Sequence, residues 1–261
     1  MKIRNKNGQA AAVGAMITFT VVLLVFSIVM LYYVPVLLKD KEIQHMREVE
    51  RGFMELSSAV TSLILNDDKT TTPKIAIQLG VEGIPLLAQG NMGTLAVEPW
   101  GASMNVYNDA KKIDYSSFGT VKFTSQNRYY TRQNYIYELG ALFAQQSDNI
   151  SMKAPPEINL NDGKLTITLI SIEGTNQTIS GWGSEALLLK LQYCASITHT
   201  LSNENITINI TSANAKGWQK CFERYSNISA TLGNGCLAVT FIGIKKLEVK
   251  FAAIKLSVIP A

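Results

Sequence analysis

The first strong pattern along the chain is a run of thirty residues, from Gln9 to Leu38, that contains no charged side chain and no histidine. A transmembrane helix needs about 20 predominantly apolar residues to cross a hydrocarbon core of roughly 30 Å. Lipid offers the backbone no hydrogen-bond partners, so a single membrane-crossing segment must be a helix. The run therefore predicts a transmembrane or filament-core helix over residues 9–38, preceded by a basic leader over residues 1–8.

Beyond Leu38 the pattern remains helical but becomes one-sided. Apolar residues recur at steps of three and four, which is the spacing along one face of a helix; they are Ile43, Met46, Val49, Phe53, Leu56, Val60 and Leu63. His45 and the charged residues are predicted to lie on the solvated face; the charged residues are Glu42, Arg47, Glu48, Arg51 and Glu55. Pro73 cannot continue a helix. We predict an amphipathic extension over residues 39–66.

After Pro73 the period changes to that of strands. Short alternating or apolar runs separated by glycine-containing turns are typical of an antiparallel sheet; they lie at 75–79, 94–97, 104–107, 121–123, 164–172, 186–193, 206–211, 237–242 and 247–259. Pro155 and Pro156 cannot join a central strand, so we predict a first β-rich lobe over 73–152 and a second over 157–261. The predicted fold class is α+β, a long N-terminal helix followed by a β-rich, sandwich-like head.

The last of these runs contains a change of parity. Its apolar residues are Leu247, Val249 and Phe251, and then Ile254, Leu256 and Val258. Because side chains alternate between the two faces of a strand, the change places the second set on the opposite face. A β-bulge at residues 252–253 would restore a single face, and we predict one there.

Charge sets the expected orientation of the chain. Lys2, Arg4 and Lys6 precede the apolar run, and no acidic residue occurs before Asp40. By the positive-inside rule, the N-terminus is expected in the cytoplasm and everything after Leu38 outside the cell. The chain has 24 basic residues, and without the three of the leader 21 remain, against 20 acidic residues. This balance predicts no nucleic-acid partner.

Five Asn-x-Ser/Thr sequences occur after residue 148, in the part expected to lie outside. There they are candidate glycan acceptors, and solvated turn or strand residues are the alternative. The asparagines are Asn149, Asn176, Asn205, Asn209 and Asn227.

The three cysteines, Cys194, Cys221 and Cys236, also lie in this part, and an exterior compartment permits a disulfide. A bridge between Cys221 and Cys236 would close a loop of about 15 residues and stabilise the fold by about 3 kcal/mol. A bridge from either residue to Cys194, and three free thiols, remain as alternatives.

The sequence contains no convincing catalytic or metal-binding pattern. His45 and His199 are the only histidines, and neither has a cysteine or histidine at the spacing of a metal site. The Ser180–Ser184 segment lacks the Gly-x-Ser-x-Gly order of a serine hydrolase. We therefore expect no enzymatic activity, no cofactor and no metal.

The start of the chain resembles archaeal type IV pilins and pilin-like surface proteins. The resemblance rests on a basic leader that ends in Lys6-Asn7-Gly8, and on Gln9, which opens a long apolar helix that continues into an amphipathic one and a β-rich head. In that family a membrane prepilin peptidase cuts a class III signal before the apolar stretch. The resemblance implies a cut between Gly8 and Gln9. It also implies assembly of the helix with other copies, through a surface that includes Ala12, Val13, Ile17, Val21, Leu24, Ile28 and Leu31.

The head is similar to a family of pilin-like archaeal envelope proteins of unassigned function. The similarity rests on the segments Leu95–Pro99, Asn127–Tyr130 and Tyr137–Ala141.

Two functions follow as expectations. The first is a non-enzymatic structural subunit of an archaeal cell-surface filament, with the membrane, prepilin peptidase and other pilin-like subunits as partners. The second is a permanently membrane-anchored adhesin or binding protein whose helix is never cut. The expected location is the cell membrane with an extracellular head, or an extracellular filament after processing.

Overall fold

A computed structural model of the protein describes residues 6–85, 88–108, 112–226 and 228–261. Its N-terminal part is one helical rod, formed by α1 (Lys6–Ile28), a π-helical turn (Val29–Tyr33) and α2 (Val34–Asn66). Pro35 has no N–H to donate back into the preceding turn, and the N–H of Val34 bonds to the carbonyl of Val29, five residues earlier. The predicted helix and its amphipathic extension are thus both confirmed.

The rest of the described chain is mainly β-structure, and the predicted α+β class is confirmed. Its strands are β1 (Lys74–Gln78), β2 (Gly93–Asn108), β3 (Ile113–Ser125), β4 (Asn134–Glu138), β5 (Ala141–Gln146), β6 (Asn149–Ala154), β7 (Ile158–Asn161), β8 (Lys164–Glu173), β9 (Gln177–Gly181), β10 (Ser184–Thr211), β11 (Ile228–Leu232) and β12 (Cys236–Pro260). A short helix, α3 (Ala215–Phe222), connects β10 to β11.

The strands form one hydrogen-bonded sheet whose main path is β6-β5-β4-β3-β2-β10-β12-β8-β7. The long strands β10 and β12 pair antiparallel from Glu185↔Pro260 to Thr211↔Cys236, with three register shifts. The first part of β10 also pairs with β1, and its last part with β2. Because β2 further pairs with β9, strands from both predicted lobes share this sheet.

Two groups of buried side chains hold the fold together. The α2 core joins the apolar stripe of α2 to β1, the first half of β10 and the last part of β12; Phe53, Leu56, Phe123, Leu189 and Ile254 are among its members. The α3 core joins α3 to the last part of β10 and the first part of β12; it includes Trp218, Phe222, Ile208, Val239 and Ile167.

The parity change in β12 has a different cause from the one predicted. Leu247 and Val249 belong to the α3 core, whereas Ala252 and Ile254 belong to the α2 core on the other face. The parallel pairing of β12 with β8 runs from Lys246↔Lys164 to Lys255↔Glu173 without a register shift. The prediction of a bulge at residues 252–253 is therefore wrong. The first part of β12 packs its side chains in the α3 core, and its last part packs them in the α2 core. The nearby shift lies in β10, between Leu191 and Tyr193.

Candidate functional site: the apolar helix and its junction with the head

The most distinctive surface of the protein is the free part of the helical rod. From Ala10 to Tyr33 every side chain is exposed except the half-buried Met30. These 24 residues extend about 36 Å at the rise of an α-helix, and none of them carries a charge. The rod is thus long and apolar enough to cross a membrane. The residues predicted for assembly are all exposed along it: Ala12, Val13, Ile17, Val21, Leu24, Ile28 and Leu31.

The predicted processing position lies at the start of this rod. Gly8 and Gln9 are both within α1. Cleavage between them stays a prediction.

The head begins to cover the helix at Val34. Val34 and Leu38 are each only 3% exposed, whereas Lys39, Asp40 and Lys41 remain in solvent. The exposed apolar surface therefore ends within two turns of the first charged residues. This geometry places the junction with the head at the point where the sequence predicts the return to water.

A buried carboxylate, Glu42, anchors the helix in the head. Glu42 is 1% exposed, which corrects its predicted place on the solvated face. It accepts hydrogen bonds from the backbone N–H groups of Arg128 (3.1 Å), Tyr129 (2.9 Å) and Tyr130 (2.5 Å), and from the side-chain amide of Asn91. Four donors from two loops thus replace the water that a buried carboxylate loses, and make its burial tolerable.

His45, one turn further on, is also buried, at 4% exposure, which corrects its predicted place on the charged face of the helix. Its Nε2 lies 2.9 Å from the carbonyl of Gln78 and therefore donates to it. Its Nδ1 is buried without a partner among the described residues. Burial lowers the pKa of His45, and the hydrogen bond to Gln78 and the charges of Glu48 and Glu42 oppose that shift only in part.

Further contacts hold α2 to the head towards its C-terminal end. Glu50 forms an ion pair with Lys153 (2.7 Å) and accepts a hydrogen bond from the hydroxyl of Tyr135 (3.1 Å). At the end of α2 the ammonium of Lys250 donates to the carbonyl of Ile64 (2.9 Å). The helix is thereby held along its length to β4, β6 and β12.

Gly52 allows strand β1 to approach the helix closely. A Cβ at this position would lie 2.6 Å from Cδ1 of Ile77 and 3.1 Å from the carbonyl oxygen of Ala76. The helix interior accepts glycine here, at a cost of about 1 kcal/mol relative to alanine, because the strand occupies the space of a side chain.

A second buried carboxylate, Glu138 at the end of β4, anchors α3. It accepts hydrogen bonds from the Ser212 hydroxyl (2.6 Å), the Trp218 indole N–H (2.7 Å) and the Asn214 amide (3.0 Å). Burial raises the pKa of Glu138, although the three hydrogen bonds work in the opposite direction.

Sequence reasoning missed both carboxylates, although signals for them existed. Glu42 precedes Met46 by four residues and Val49 by seven, and so lies on the buried stripe of α2. Its backbone donors come from the Asn127–Tyr130 segment, and Glu138 belongs to the Tyr137–Ala141 segment. Two of the three segments that carry the head resemblance thus contain these structural anchors.

The candidate glycan acceptors differ in accessibility. Asn149, Asn176 and Asn205 are exposed, whereas Asn209 is half-buried in β10. Asn227 lies outside the described residues. Glycosylation stays a prediction for all five.

The predicted bridge between Cys221 and Cys236 is not formed. All three cysteines are free thiols in the structure. Cys221 lies on the buried side of α3, where burial raises the pKa of its thiol. Cys236 begins β12 opposite Thr211.

The comparisons with known proteins concern the chain as a whole. A family model described as a family of unknown function, DUF7289, matches residues 7–240, from the start of α1 into β12. No curated protein and no solved structure matches the chain. Since the match covers the helical rod and most of the head, the chain belongs to the DUF7289 family.

Proposed function

We propose that this protein is a pilin-like structural subunit of an archaeal cell-surface filament, held in the membrane and then assembled through its N-terminal helix. The observation that carries the proposal is the rod from Ala10 to Tyr33, whose apolar side chains are exposed on all sides. Such a surface must be covered, either by lipid or by other helices, and each Å² of apolar area removed from water stabilises by about 25 cal/mol.

The composition of the rod suits exchange of lipid for sister helices. Its first turns contain only small or short side chains over Ala10–Ala15, and small residues allow close approach of membrane helices. Larger residues follow, and Met16 is 72% exposed. Close packing near the N-terminus and broad apolar contact further along would support assembly with further copies of the chain.

The rigid junction supports the same function. A filament subunit needs a head with a fixed orientation relative to the helix that packs in the core. The Glu42 carboxylate, the ion pair of Glu50 with Lys153 and the hydrogen bond from Lys250 to Ile64 hold α2 at three levels. Head and helix would therefore move as one unit.

In this proposal the head faces the outside of the cell, after processing by prepilin peptidase. The exposed Asn149, Asn176 and Asn205 would be the accessible glycan acceptors.

The decisive experiment is to determine the mature N-terminus and the assembly state of the protein from its native membrane. We expect a mature chain that begins at Gln9, and filaments visible by electron microscopy. Gly8→Val is expected to leave the leader attached and to abolish filaments. Gly14→Val, a glycine substitution beyond the cut, is the matched control for processing alone and should be cut normally; because Gly14 lies in the small-residue stretch assigned to packing, its filaments are not used as a control. A native chain that retains Met1 or Lys2 would contradict the proposal.

A permanently anchored binding protein is the alternative. It is favoured by the length of the rod, because about 36 Å of helix matches a single bilayer crossing. In that case detergent would extract all the protein from the membrane as single subunits with the leader uncut. Mechanical shearing of the cells would release no protein.

A further inference from the structure

The sheet has a polar outer face opposite the α3 core. Met104 and Val106 of β2 and Ile208 and Ile210 of β10 are buried in that core. Since side chains alternate along a strand, the residues between and beside them face away from it. We call the following set the outer polar face: Ser103, Asn105 and Tyr107 of β2, Asp114 and Ser116 of β3, and Thr207, Asn209 and Thr211 of β10.

Strand pairing places these residues in rows. Tyr107 lies between Asp114 of β3 and Thr207 of β10. In the next row Asn105 lies between Ser116 and Asn209. The result is an aromatic ring beside two amides, a carboxylate and short hydroxyl side chains.

Five of these residues line a depression of about 610 Å³, together with Asn108, Lys112 and Ile113; the five are Asn105, Tyr107, Asp114, Ser116 and Asn209. The described charged residues in its lining are Lys112 and Asp114, which are of opposite sign. Volumes of this size are typical of small-molecule sites in proteins. With balanced charge, the depression offers hydrogen bonds rather than an electrostatic field to a ligand.

Asn209 at its base has unused hydrogen-bonding capacity. Its Nδ2 donates to the hydroxyl of Tyr107 at 3.4 Å, which leaves the Tyr107 proton free to donate. Its Oδ1 is excluded from solvent and has no partner among the described residues. Buried amide oxygens in proteins are normally paired. A rotation of the Asn209 amide toward the depression would therefore let this oxygen accept a hydrogen bond from a hydroxyl of a bound molecule.

We propose that this depression binds a neutral oligosaccharide. Sugar hydroxyls both donate and accept hydrogen bonds, as do the amides of Asn105 and Asn209. The apolar face of a sugar ring packs on an aromatic ring such as that of Tyr107. A polyanion would require a surplus of positive charge, which the described lining lacks.

The inference goes beyond the proposed function and does not depend on it. It concerns a face of the head, remote in sequence from the apolar rod. A binding measurement on single subunits therefore succeeds or fails regardless of whether the helix is processed or assembles.

The test uses the full chain in lipid nanodiscs, because glycoside detergents would compete for the site. Cellohexaose, hexa-N-acetylchitohexaose and mannohexaose are titrated separately by calorimetry, with heparin as the polyanion. We expect at least one neutral hexasaccharide to bind with a dissociation constant below about 1 mM, and heparin to bind more weakly or not at all.

Three variants and one control locate the site. Tyr107→Ala and Asn209→Ala are each expected to weaken binding at least tenfold. Tyr193→Ala is the matched control, because Tyr193 is an exposed tyrosine that does not line this depression. Ser116→Trp fills the depression from an exposed position without altering the core, and is expected to abolish binding even if Tyr107→Ala proves too unstable to purify.

Four results would overturn the proposal. They are failure of all three hexasaccharides to bind, binding that Ser116→Trp leaves unchanged, tighter binding of heparin than of any neutral sugar, and a covalent glycan on Asn209 in the native protein.

Discussion

At the scale of single residues, two buried carboxylates fix helices to the head through hydrogen bonds, and within the described chain no cationic side chain is among their hydrogen-bond partners. Glu42 of α2 receives hydrogen bonds from Asn91 and from three successive backbone N–H groups, and Glu138 of β4 receives them from Ser212, Asn214 and Trp218. Hydrogen bonds to charged groups contribute more than neutral ones, and an unpaired buried group is costly. Each carboxylate therefore selects one position of its helix against the sheet.

We expect Glu42→Ala to destabilise the head strongly. The substitution removes the acceptor of the part-buried N–H groups of Arg128, Tyr129 and Tyr130 and of the Asn91 amide, which we expect to cost roughly 2–3 kcal/mol. Glu55→Ala is the matched control, because Glu55 is exposed on the same helix, and its effect should stay within about 0.5 kcal/mol. Thermal unfolding followed by near-UV circular dichroism measures both. Equal effects of the two substitutions would contradict the anchoring role of Glu42.

We expect His45 to make the fold less stable at acidic pH. Burial lowers its pKa in the folded state, so below the unfolded value of about 6.5 the unfolded chain binds more protons than the folded one. Stability then falls as the pH decreases. The destabilisation caused by His45 is absent above about pH 7.5 and increases as the pH falls below about 6.5.

The measurement is the difference in unfolding free energy between the unmodified chain and His45→Gln across this range. The difference is used because both chains share all other titrating groups. We expect the unmodified chain to lose stability relative to His45→Gln as the pH falls. A difference that is independent of pH would contradict the effect of burial.

The sequence predicts single polar residues poorly, and Glu42 and His45 show the physical reason. Their positions on α2 fit the buried stripe, but their chemistry argues for solvent. Whether such a residue is buried or exposed depends on donors and acceptors that the head supplies, such as the N–H groups of Arg128–Tyr130 and the carbonyl of Gln78. These partners lie more than 30 residues away in sequence, so no local pattern contains them.

At the scale of elements, local periodicity was sufficient to predict the helices and strands of most of the chain. The helix through Asn66 follows from the uncharged run and the three- and four-residue spacing, and the alternating runs correspond to strands such as β8 and β12. The error at residues 252–253 has a general cause. A parity change predicts a bulge if a strand has one buried face, but β12 is buried on different faces in its two halves.

We expect the close approach of β1 to α2 to fail when Gly52 gains a branched side chain. In Gly52→Val the new atoms collide with Ile77 and with the backbone of Ala76, and overpacking of this kind costs roughly 1–3 kcal/mol. Ser58→Val is the matched control. Ser58 is exposed on the same helix, and the substitution introduces the same side chain. Chemical unfolding of both variants tests the difference. A similar stability for the two would mean that β1 can move away from the helix at little cost.

At the scale of the whole molecule, the arrangement of strands depends on contacts that are distant in sequence. β2 pairs with β10 about one hundred residues later, and β8 runs parallel to β12. Parallel pairing requires a long crossover connection, here the whole segment between Glu173 and Lys246. Pro155 and Pro156 predicted a lobe boundary because they end a strand, and they do follow β6. Which strands then meet is decided by the two cores and not by local sequence.

The division of the helical rod into a free part and a docked part leads to the last prediction. A chain truncated to residues 34–261 keeps Val34, Leu38, Glu42 and every later contact of α2. Of the described side chains it loses exposed ones and the half-buried Met30. We expect it to be soluble without detergent and to unfold at the same temperature as the head of the full chain, within about 3 °C. A chain truncated to residues 48–261 also loses Glu42, His45 and Met46. It should unfold at a temperature at least about 10 °C lower, because the donors of Arg128–Tyr130 and part of the α2 core are uncovered. Aggregation of the longer truncated chain, or equal stability of the two, would mean that the first turns of α2 do not belong to the folding unit of the head.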